Sequence, residues 1–179
     1  MKKILSSFIL FLILSSVAFS QKGELFPTLE GETVDHKAFT IPKDSKGKYT
    51  ILGLSWSTKS EDDWNTWLQP VYDKFINSNN FMQTSYDINI YFVAMFTGLN
   101  KTAYKGVVEK SKKRLGKDAA SYLLFYKGKL KEYKKELNLG NKDTPHFYVL
   151  DPTGKIVYIA KGRCSDAKID EIDAVLPEE

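Results

Sequence analysis

Hydrophobic positions along the chain fall into blocks of two kinds, continuous apolar runs and runs with helical spacing. The segments "KYTILGLSW" at 48–56 and "DINIYFVAMF" at 87–96 are nearly continuous apolar runs with β-branched and aromatic residues. Such runs are typical of strands that are covered on both faces. Between them, apolar side chains recur every three or four residues, which predicts a helix with one buried face. The buried positions of that helix are Trp64, Trp67, Leu68, Val71 and Phe75.

The predicted helix has a defined start and an internal break. Ser60 is placed to cap it, with Asp63 three residues later as a capping-box-like partner. The acidic residues 61–63 suit the positive end of the helix dipole. Pro70 lies inside the apolar pattern and should kink the helix, because proline supplies no backbone N–H.

The remaining blocks continue the alternation of strands and helices. A β-hairpin is predicted first, over "ELFPTLEGETVDHKAF" with its turn at residues 30–32. Later elements are a basic amphipathic helix at 101–116, a strand at 121–126, a helix at 128–140, an antiparallel hairpin of strands 146–151 and 155–162, and a last helix at about 165–175. This order predicts an α/β fold with a parallel strand pair, a hairpin added to the same central sheet, and flanking helices.

The first twenty residues form a block of their own. "MKK" is a basic start, "ILSSFILFLILSSVAF" is an apolar core, and Ala18-Phe19-Ser20 is a small-residue cleavage site. We therefore predict a signal peptide at 1–20 and a single domain at 21–179 that is periplasmic or secreted. The alternative is an uncleaved anchor, but the run is shorter than the ~20 residues that span a bilayer. We expect no transmembrane span after cleavage.

Charge is nearly balanced over the mature chain but unevenly distributed. Without the two lysines of the leader, 24 basic side chains face 22 acidic ones, a net charge of about +2, so we predict no nucleic-acid partner. Between Lys101 and Lys135 there are twelve basic residues and only three acidic ones. We expect helix 101–116 to turn its lysines outward and its apolar residues, Tyr104, Val107, Val108 and Leu115, toward the sheet. This basic face is either a solvated surface or a contact for an acidic partner or anionic lipid.

Cysteine usage restricts the chemistry of the chain. Cys164 is the single cysteine, so the chain has no internal disulfide, although an exported protein lies where disulfides form. The basic neighbours Lys161 and Arg163 are candidates for favouring a thiolate at Cys164.

The segment "DTPHFYVLDPTGKIVYIAKG" resembles the closing half of the thioredoxin-like fold, in particular the exported TlpA and AhpC/TSA branch. Thr144-Pro145, Asp151 with Gly154-Lys155, and Gly162 match that pattern in order and spacing. The opening "LFPTLEGETV", the strand at 48–56 with its proline-containing helix, and the βα insertion at 121–139 are similar to the same branch. The resemblance implies a cis Thr144–Pro145 bond that lies against the helix start near Ser60.

The chain departs from that family at its redox centre. The family's Cys-x-x-Cys motif lies at the start of the first helix, where the helix dipole lowers the thiol pKa. This chain has Ser57 and Ser60 at the same spacing, and a serine hydroxyl forms no disulfide. A Ser–His pair with His146 is disfavoured because no third catalytic member is visible. The two histidines and scattered acids have no recognisable metal-ligand spacing, and we predict neither a metal nor a cofactor.

Three functions remain open on this sequence. The favoured one is a redox-inactive thioredoxin-like protein that binds a protein or extended peptide at the former active-site end. Its predicted contact residues are Trp56, Ser57, Lys59, Ser60, Thr144, Pro145 and His146, although the tryptophans also suit core positions. The second is a thiol-disulfide oxidoreductase or antioxidant enzyme acting through Cys164. The third is a structural subunit of an envelope complex that docks through the basic face.

Overall fold

Every predicted strand and helix from residue 21 onward is present in the computed structural model, which describes residues 21–77, 86–114 and 116–177. The strands are β1 (Leu29–Thr33), β2 (Ala38–Ile41), β3 (Tyr49–Ser55), β4 (Ile88–Thr97), β5 (Leu123–Gly128), β6 (His146–Leu150) and β7 (Ile156–Lys161). The α-helices are α1 (Glu61–Asn65), α2 (Leu68–Phe75), α3 (Tyr104–Arg114), α4 (Lys117–Ser121), α5 (Lys131–Glu136) and α6 (Asp166–Asp173). Short 3₁₀ helices lie at 43–45, 58–60 and 98–102. The predicted signal peptide lies outside the described residues.

The seven strands form one mixed sheet in the order β2-β1-β5-β4-β3-β6-β7. β3 pairs in parallel with β4 and antiparallel with β6, and β4 pairs in parallel with β5. The hairpins β1–β2 and β6–β7 are antiparallel. The predicted fold class is confirmed, with an N-terminal hairpin at one edge and a βα unit of β5 and α5 inserted before β6.

Alternation along β3 divides its side chains between two cores, one on each face of the sheet. Leu52 and Leu54 belong to the core that includes residues of α5, while Ile51 belongs to the core beneath α1, α2 and α6. In the second core Trp67 stacks on Phe147, with ring centroids 3.9 Å apart. The continuous apolar run of β3 is therefore buried on both faces, as predicted.

The start of the helix after β3 differs from the prediction, because Ser57 rather than Ser60 is the capping residue. The Ser57 side chain accepts the backbone N–H of Ser60 at 3.4 Å. Ser57 has the extended backbone that a cap requires, whereas Ser60 already has helical φ and ψ values and makes no side-chain capping hydrogen bond. A 3₁₀ turn at 58–60 therefore precedes α1.

The predicted kink at Pro70 is confirmed as a break between α1 and α2. In the break the Trp67 N–H donates to the Trp64 carbonyl at 3.1 Å, and the Val71 N–H donates to the Trp67 carbonyl at 3.0 Å. Pro70 has no N–H for the carbonyl of residue 66, and its ring crowds that carbonyl. The break lets both tryptophans face the sheet, whereas Leu68, which was predicted to be buried, is 38% exposed.

The turn of the N-terminal hairpin is not at residues 30–32, which lie inside β1. The chain reverses between Thr33 and Ala38 instead, where His36 has a φ of 59° in the left-handed region. The Thr33 hydroxyl oxygen accepts the backbone N–H groups of Asp35 and Lys37, both at 3.3 Å. These local hydrogen bonds satisfy backbone N–H groups of the turn and stabilise it after Thr33 rather than at Gly31, where the sequence predicted it.

The basic helix is shorter than predicted and begins at Tyr104. Its lysines Lys105, Lys112 and Lys113 are exposed, as predicted, while Tyr104 and Val108 are buried. Val107 was predicted to be buried but is 37% exposed, because the helix packs through one narrow i, i+4 stripe. Leu115 lies outside the described residues. No helix in the described part of the chain is long and apolar enough to cross a membrane.

Candidate functional site

Two loops that are distant in sequence meet at one end of the sheet. Leu54, near the end of β3, is the Cα partner of His146 at the start of β6. The segment that follows β3 and the loop that precedes β6 therefore lie at the same end of the sheet. This register brings together the residues predicted to form the partner-binding surface.

Three contacts join the two loops. The Ser57 hydroxyl donates a hydrogen bond to the carbonyl of Lys142 at 2.5 Å. The Lys59 ammonium lies 3.7 Å from a carboxylate oxygen of Asp143. On the buried side, the Trp56 ring meets the His146 ring edge-on, with centroids 5.3 Å apart. Residues 56–60 and 142–146 thus form one continuous end of the molecule, which we call the site end.

The predicted cis bond at Thr144–Pro145 is wrong. Among the described residues the cis peptide bond is Ile41–Pro42. The trans form of an X–Pro bond is lower in energy by roughly 0.5–1 kcal/mol. In that form the Pro145 carbonyl accepts the backbone N–H of Gly162 at 2.9 Å, so the loop joins the sheet without the less favourable isomer. The Ser57–Lys142 hydrogen bond brings the loop before Pro145 to the helix start, while the predicted contact of Pro145 itself with the region of Ser60 stays a prediction.

Two serine hydroxyls at the site end, those of Ser55 and Ser60, form a hydrogen-bond network with the backbone carbonyl of Ser57. The Ser60 hydroxyl lies 2.9 Å from the Ser57 carbonyl, and the Ser55 and Ser60 hydroxyl oxygens lie 2.8 Å apart. Either hydroxyl can be the donor between the two, because the Ser55 hydroxyl also lies within 3.5 Å of the Ser57 carbonyl. Ser60 is fully buried. Each of the hydroxyls of Ser55, Ser57 and Ser60 is hydrogen-bonded to a backbone carbonyl or to another serine.

His146 is buried and electrically neutral at physiological pH. The Tyr148 hydroxyl lies 3.1 Å from the His146 Nδ1 atom and 3.3 Å from the Leu137 carbonyl, and the His146 tautomer determines which of His146 and Tyr148 donates to the other. Burial, and secondarily the charge of Lys161, lowers the pKa of His146 to about 4. His146 therefore supports Trp56 and the sheet end from beneath, and it is not paired with a serine.

Cys164 is half-buried on the loop after β7. Its backbone N–H donates to the Thr66 hydroxyl oxygen at 2.9 Å, which fixes the loop against α1. Burial raises the pKa of the Cys164 thiol, and the nearby carboxylate of Asp166 raises it further, while the Lys168 charge opposes them. Arg163, a predicted thiolate partner, instead contacts Asp63 at 3.2 Å. The expected activation by Lys161 and Arg163 is therefore wrong.

An apolar cavity of about 270 Å³ lies beside the site end. Trp56 and Trp64 form part of its wall, together with residues from the ends of β4 and β5 such as Phe96 and Phe125. Its lining includes the exposed residues Thr58, Asn100, Ala103 and Val107, so it opens to solvent. The indole N–H groups of Trp56 and Trp64 are buried without a hydrogen-bond partner among the described residues.

Sequence reasoning missed the half of this cavity that comes from β4, β5 and α3. Met95, Phe96 and Phe125 read as ordinary core residues, and their cavity-lining role depends on how α3 packs against the sheet. One signal was available in the sequence, because the apolar run of β4 continues to Phe96, beyond the length needed to match β3. Within the described residues, no group of three or more His, Cys, Asp or Glu side chains is arranged to hold a metal.

Comparison with known proteins places the chain in a sequence family and a fold. A family model described as "ATP10 protein" matches residues 10–177. No curated protein matches the sequence. Similar solved structures include the exposed lipoprotein thioredoxin of Streptococcus pneumoniae strain TIGR4 (16% identity, 83% of this chain and 100% of that one, TM-score 0.56). A putative protein disulfide isomerase of Bacteroides thetaiotaomicron (13%, 87% and 89%, 0.55) and the reduced 2-Cys peroxiredoxin of Plasmodium vivax (16%, 87% and 96%, 0.54) are also similar. These structures show that the fold is thioredoxin-like.

Proposed function

The chain belongs to the ATP10 protein family, and from this membership and the geometry of the site end we propose that it is an exported, redox-inactive thioredoxin-fold protein that binds a protein partner. The observation that carries the proposal is the open apolar cavity of about 270 Å³ at the site end. The resemblance to the thioredoxin-like family implies a cysteine pair at this end, whereas this chain has hydrogen-bonded serines there. The geometry favours binding over chemistry.

Two features support redox inactivity. A dithiol–disulfide cycle needs two thiols, and the sequence contains one cysteine. Burial raises the pKa of that thiol, so the thiolate, which is the reactive form, is less populated than in an exposed cysteine. The alternative of an oxidoreductase acting through Cys164 therefore lacks both a resolving thiol in the chain and an activated nucleophile.

The contact surface that we propose is narrower than the set predicted from the sequence. Trp56, Ser60, Pro145 and His146 are buried, so they shape the surface from beneath. The exposed or half-buried groups are Ser57, Thr58, Lys59 and Thr144, together with the mouth of the cavity.

Backbone pairing with an extended peptide is only weakly available at this end. The Lys142 carbonyl accepts the Ser57 hydroxyl and the Pro145 carbonyl accepts the Gly162 N–H. Two of the backbone groups that β-addition would use are therefore already hydrogen-bonded. We propose instead that an apolar side chain of the partner enters the cavity, where burial of apolar area contributes about 25 cal/mol per Å².

Family and fold support a role with a partner. The family description, "ATP10 protein", names no reaction, so family membership is compatible with a binding role. The pneumococcal neighbour is described as an exposed lipoprotein, which agrees with the export that the leader at 1–20 predicts. A protein of the same exported compartment is the partner class that we expect.

The proposal is tested by site-directed photo-crosslinking in cells. Thr58, at the mouth of the cavity, is replaced by a photoreactive benzoylphenylalanine, and the same group is placed at Thr153 as a control. Thr153 is also exposed but lies in the β6–β7 turn, at the opposite end of the sheet. We expect a defined protein adduct from position 58 that resists reductant, and none from position 153.

Two outcomes would contradict the proposal. Equal adducts from both positions, or no adduct from position 58, would argue against a binding surface at the site end. A complex that forms without light, dissolves in reductant and disappears in Cys164→Ser would instead favour the thiol-dependent enzyme.

A further inference from the structure

Several large hydrophobic side chains are exposed on the surface, and three of them line one groove. In the described part of the chain they are Leu25, Leu68, Tyr72, Leu99 and Val107. Leu68 is 38% exposed, Tyr72 is 45% exposed and Val107 is 37% exposed, and all three line a single groove of about 640 Å³. Scattered apolar residues on a surface are ordinary, but three along one groove indicate an interaction site.

The groove runs between the helix pair α1–α2 and helix α3. Trp64, Leu68 and Tyr72 form one wall, Val107 lies on the opposite wall, and Phe92 of β4 lies on the sheet between them. The groove shares lining residues with the cavity at the site end, namely Glu61, Trp64, Val107, Ser111 and Leu123. The groove therefore adjoins the cavity across these shared wall residues.

The two walls of the groove carry opposite charge. On the α3 wall, Lys110 and Arg114 line the groove, and Lys105, Lys112 and Lys113 are exposed on the same helix against the single acid Glu109. On the α1 wall the charged lining residue is Glu61. An occupant with carboxylates on one edge would place them toward α3 and away from Glu61.

We infer that this groove binds an apolar segment of a partner protein that carries carboxylates along its α3-facing edge. The inference rests on the proposed function, because the groove extends the same site. Apolar contact with Leu68, Tyr72 and Val107 supplies affinity, and the asymmetric charge fixes the orientation. An anionic lipid surface fits less well, since Glu61 would face the same negative headgroups as Lys110 and Arg114.

The probe is a pair of labelled amphipathic peptides with the same leucine face. One carries glutamates on its polar face and the other carries lysines. Binding to the mature chain 21–179 is measured by fluorescence anisotropy at low and high salt. We expect the glutamate peptide to bind about tenfold more tightly than the lysine peptide at low salt, and this preference should shrink as salt rises.

Variants separate the apolar and charged contributions. Leu68→Ser with Tyr72→Ser should weaken binding of the glutamate peptide about tenfold, because apolar contact is lost on one wall of the groove. Lys110→Glu with Arg114→Glu should reverse the preference between the peptides. The matched control is Lys46→Glu with Lys155→Glu, the same charge change at exposed positions outside the groove lining, which should preserve the preference. Circular dichroism checks that each variant is folded.

The peptide and crosslinking results distinguish binding in the groove from partner binding at the site end. Three results would overturn the proposed binding in the groove. They are no binding of either peptide, equal binding of both peptides, or a reversed preference in the control variant like that expected for Lys110→Glu with Arg114→Glu. If the Thr58 adduct still forms in Leu68→Ser with Tyr72→Ser while no peptide binds, the groove is wrong and the proposed function stands. If the glutamate peptide binds in the groove but no Thr58 adduct forms, the proposed partner binding at the site end is wrong, while the groove remains a binding site.

Discussion

Ser57 is tied to the backbone of Lys142, 85 residues away, by a hydrogen bond of 2.5 Å from its hydroxyl to the carbonyl. The same side chain accepts the N–H of Ser60 at 3.4 Å and so caps the first helical turn. A hydroxyl suits both roles, because it donates one proton and accepts with its lone pairs, whereas a thiol is weak at each. Ser57 therefore acts as a structural clamp between two loops.

Removing the clamp should destabilise the protein. We expect Ser57→Ala to lower the free energy of unfolding by about 1–2 kcal/mol, because the variant loses a helix cap and leaves the Lys142 carbonyl without its donor. Urea unfolding measures the change. Thr58→Ala, at the exposed neighbouring position, is the control and should change stability by less than about 0.5 kcal/mol. Equal stability of Ser57→Ala and wild type would show that the clamp contributes nothing.

Cys164 should behave as a slow thiol. Burial and Asp166 raise its pKa, so alkylation by iodoacetamide at neutral pH should be slower than that of glutathione. Asp166→Asn removes a charge that raises the pKa and should speed the reaction, whereas Lys168→Gln removes a charge that lowers it and should slow the reaction. The same rate in both variants would contradict this electrostatic account.

Redox turnover should be at background level. Insulin reduction and peroxide consumption are compared for the wild type and Cys164→Ser, and we expect no difference, because a dithiol cycle needs a second thiol. Clear turnover that is lost in the serine variant would make the oxidoreductase the better assignment.

Burial of His146 should make stability depend on pH. The pKa of His146 is lowered from 6.5 to about 4 in the folded protein, so between these values the unfolded chain binds a proton that the folded one does not. The resulting stability is complete above pH 6.5 and is lost as pH falls through 4, amounting to roughly 3 kcal/mol. Urea unfolding from pH 7.5 to 4 measures the slope.

Two variants test whether His146 causes this pH dependence of the unfolding free energy. His146→Gln should flatten the pH dependence over this range, since glutamine does not titrate. Lys161→Gln removes only the secondary cause of the lowered pKa and should flatten it less. A slope that persists unchanged in His146→Gln would show that other groups produce it.

Two glycines should respond to alanine in opposite directions. A Cβ added at Gly53 in β3 would lie 2.4 Å from a ring carbon of Phe147, whose ring is stacked on Trp67 at 3.9 Å. Gly53→Ala should therefore destabilise the protein by roughly 1–3 kcal/mol. Gly106→Ala, inside α3 with nothing within 4 Å of the new carbon, should stabilise it by about 0.5–1 kcal/mol. Thermal unfolding measures the change in stability of each variant relative to the wild type. Changes of the same sign in the two variants would refute the packing argument.

Short-range patterns in the sequence determined the elements and much of the chemistry. The apolar runs at 48–56 and 87–96 predict β3 and β4 because a strand buried on both faces needs continuous hydrophobicity. Pro70 predicts the break before α2 because a missing N–H acts within one helical turn. The single cysteine excludes an internal disulfide by counting alone. Each of these inferences depends on residues that are neighbours in the chain.

Tertiary structure decided everything that depends on which distant groups meet. The β3–β6 register places Leu54 opposite His146, and this brings Ser57 and Lys142 close enough to become hydrogen-bond partners. The groove forms because α3 packs through Tyr104 and Val108 and leaves Val107 facing Leu68 and Tyr72 across it. Helical spacing identifies an apolar stripe but not its width or the wall opposite, since both depend on the packing of elements that are far apart in sequence.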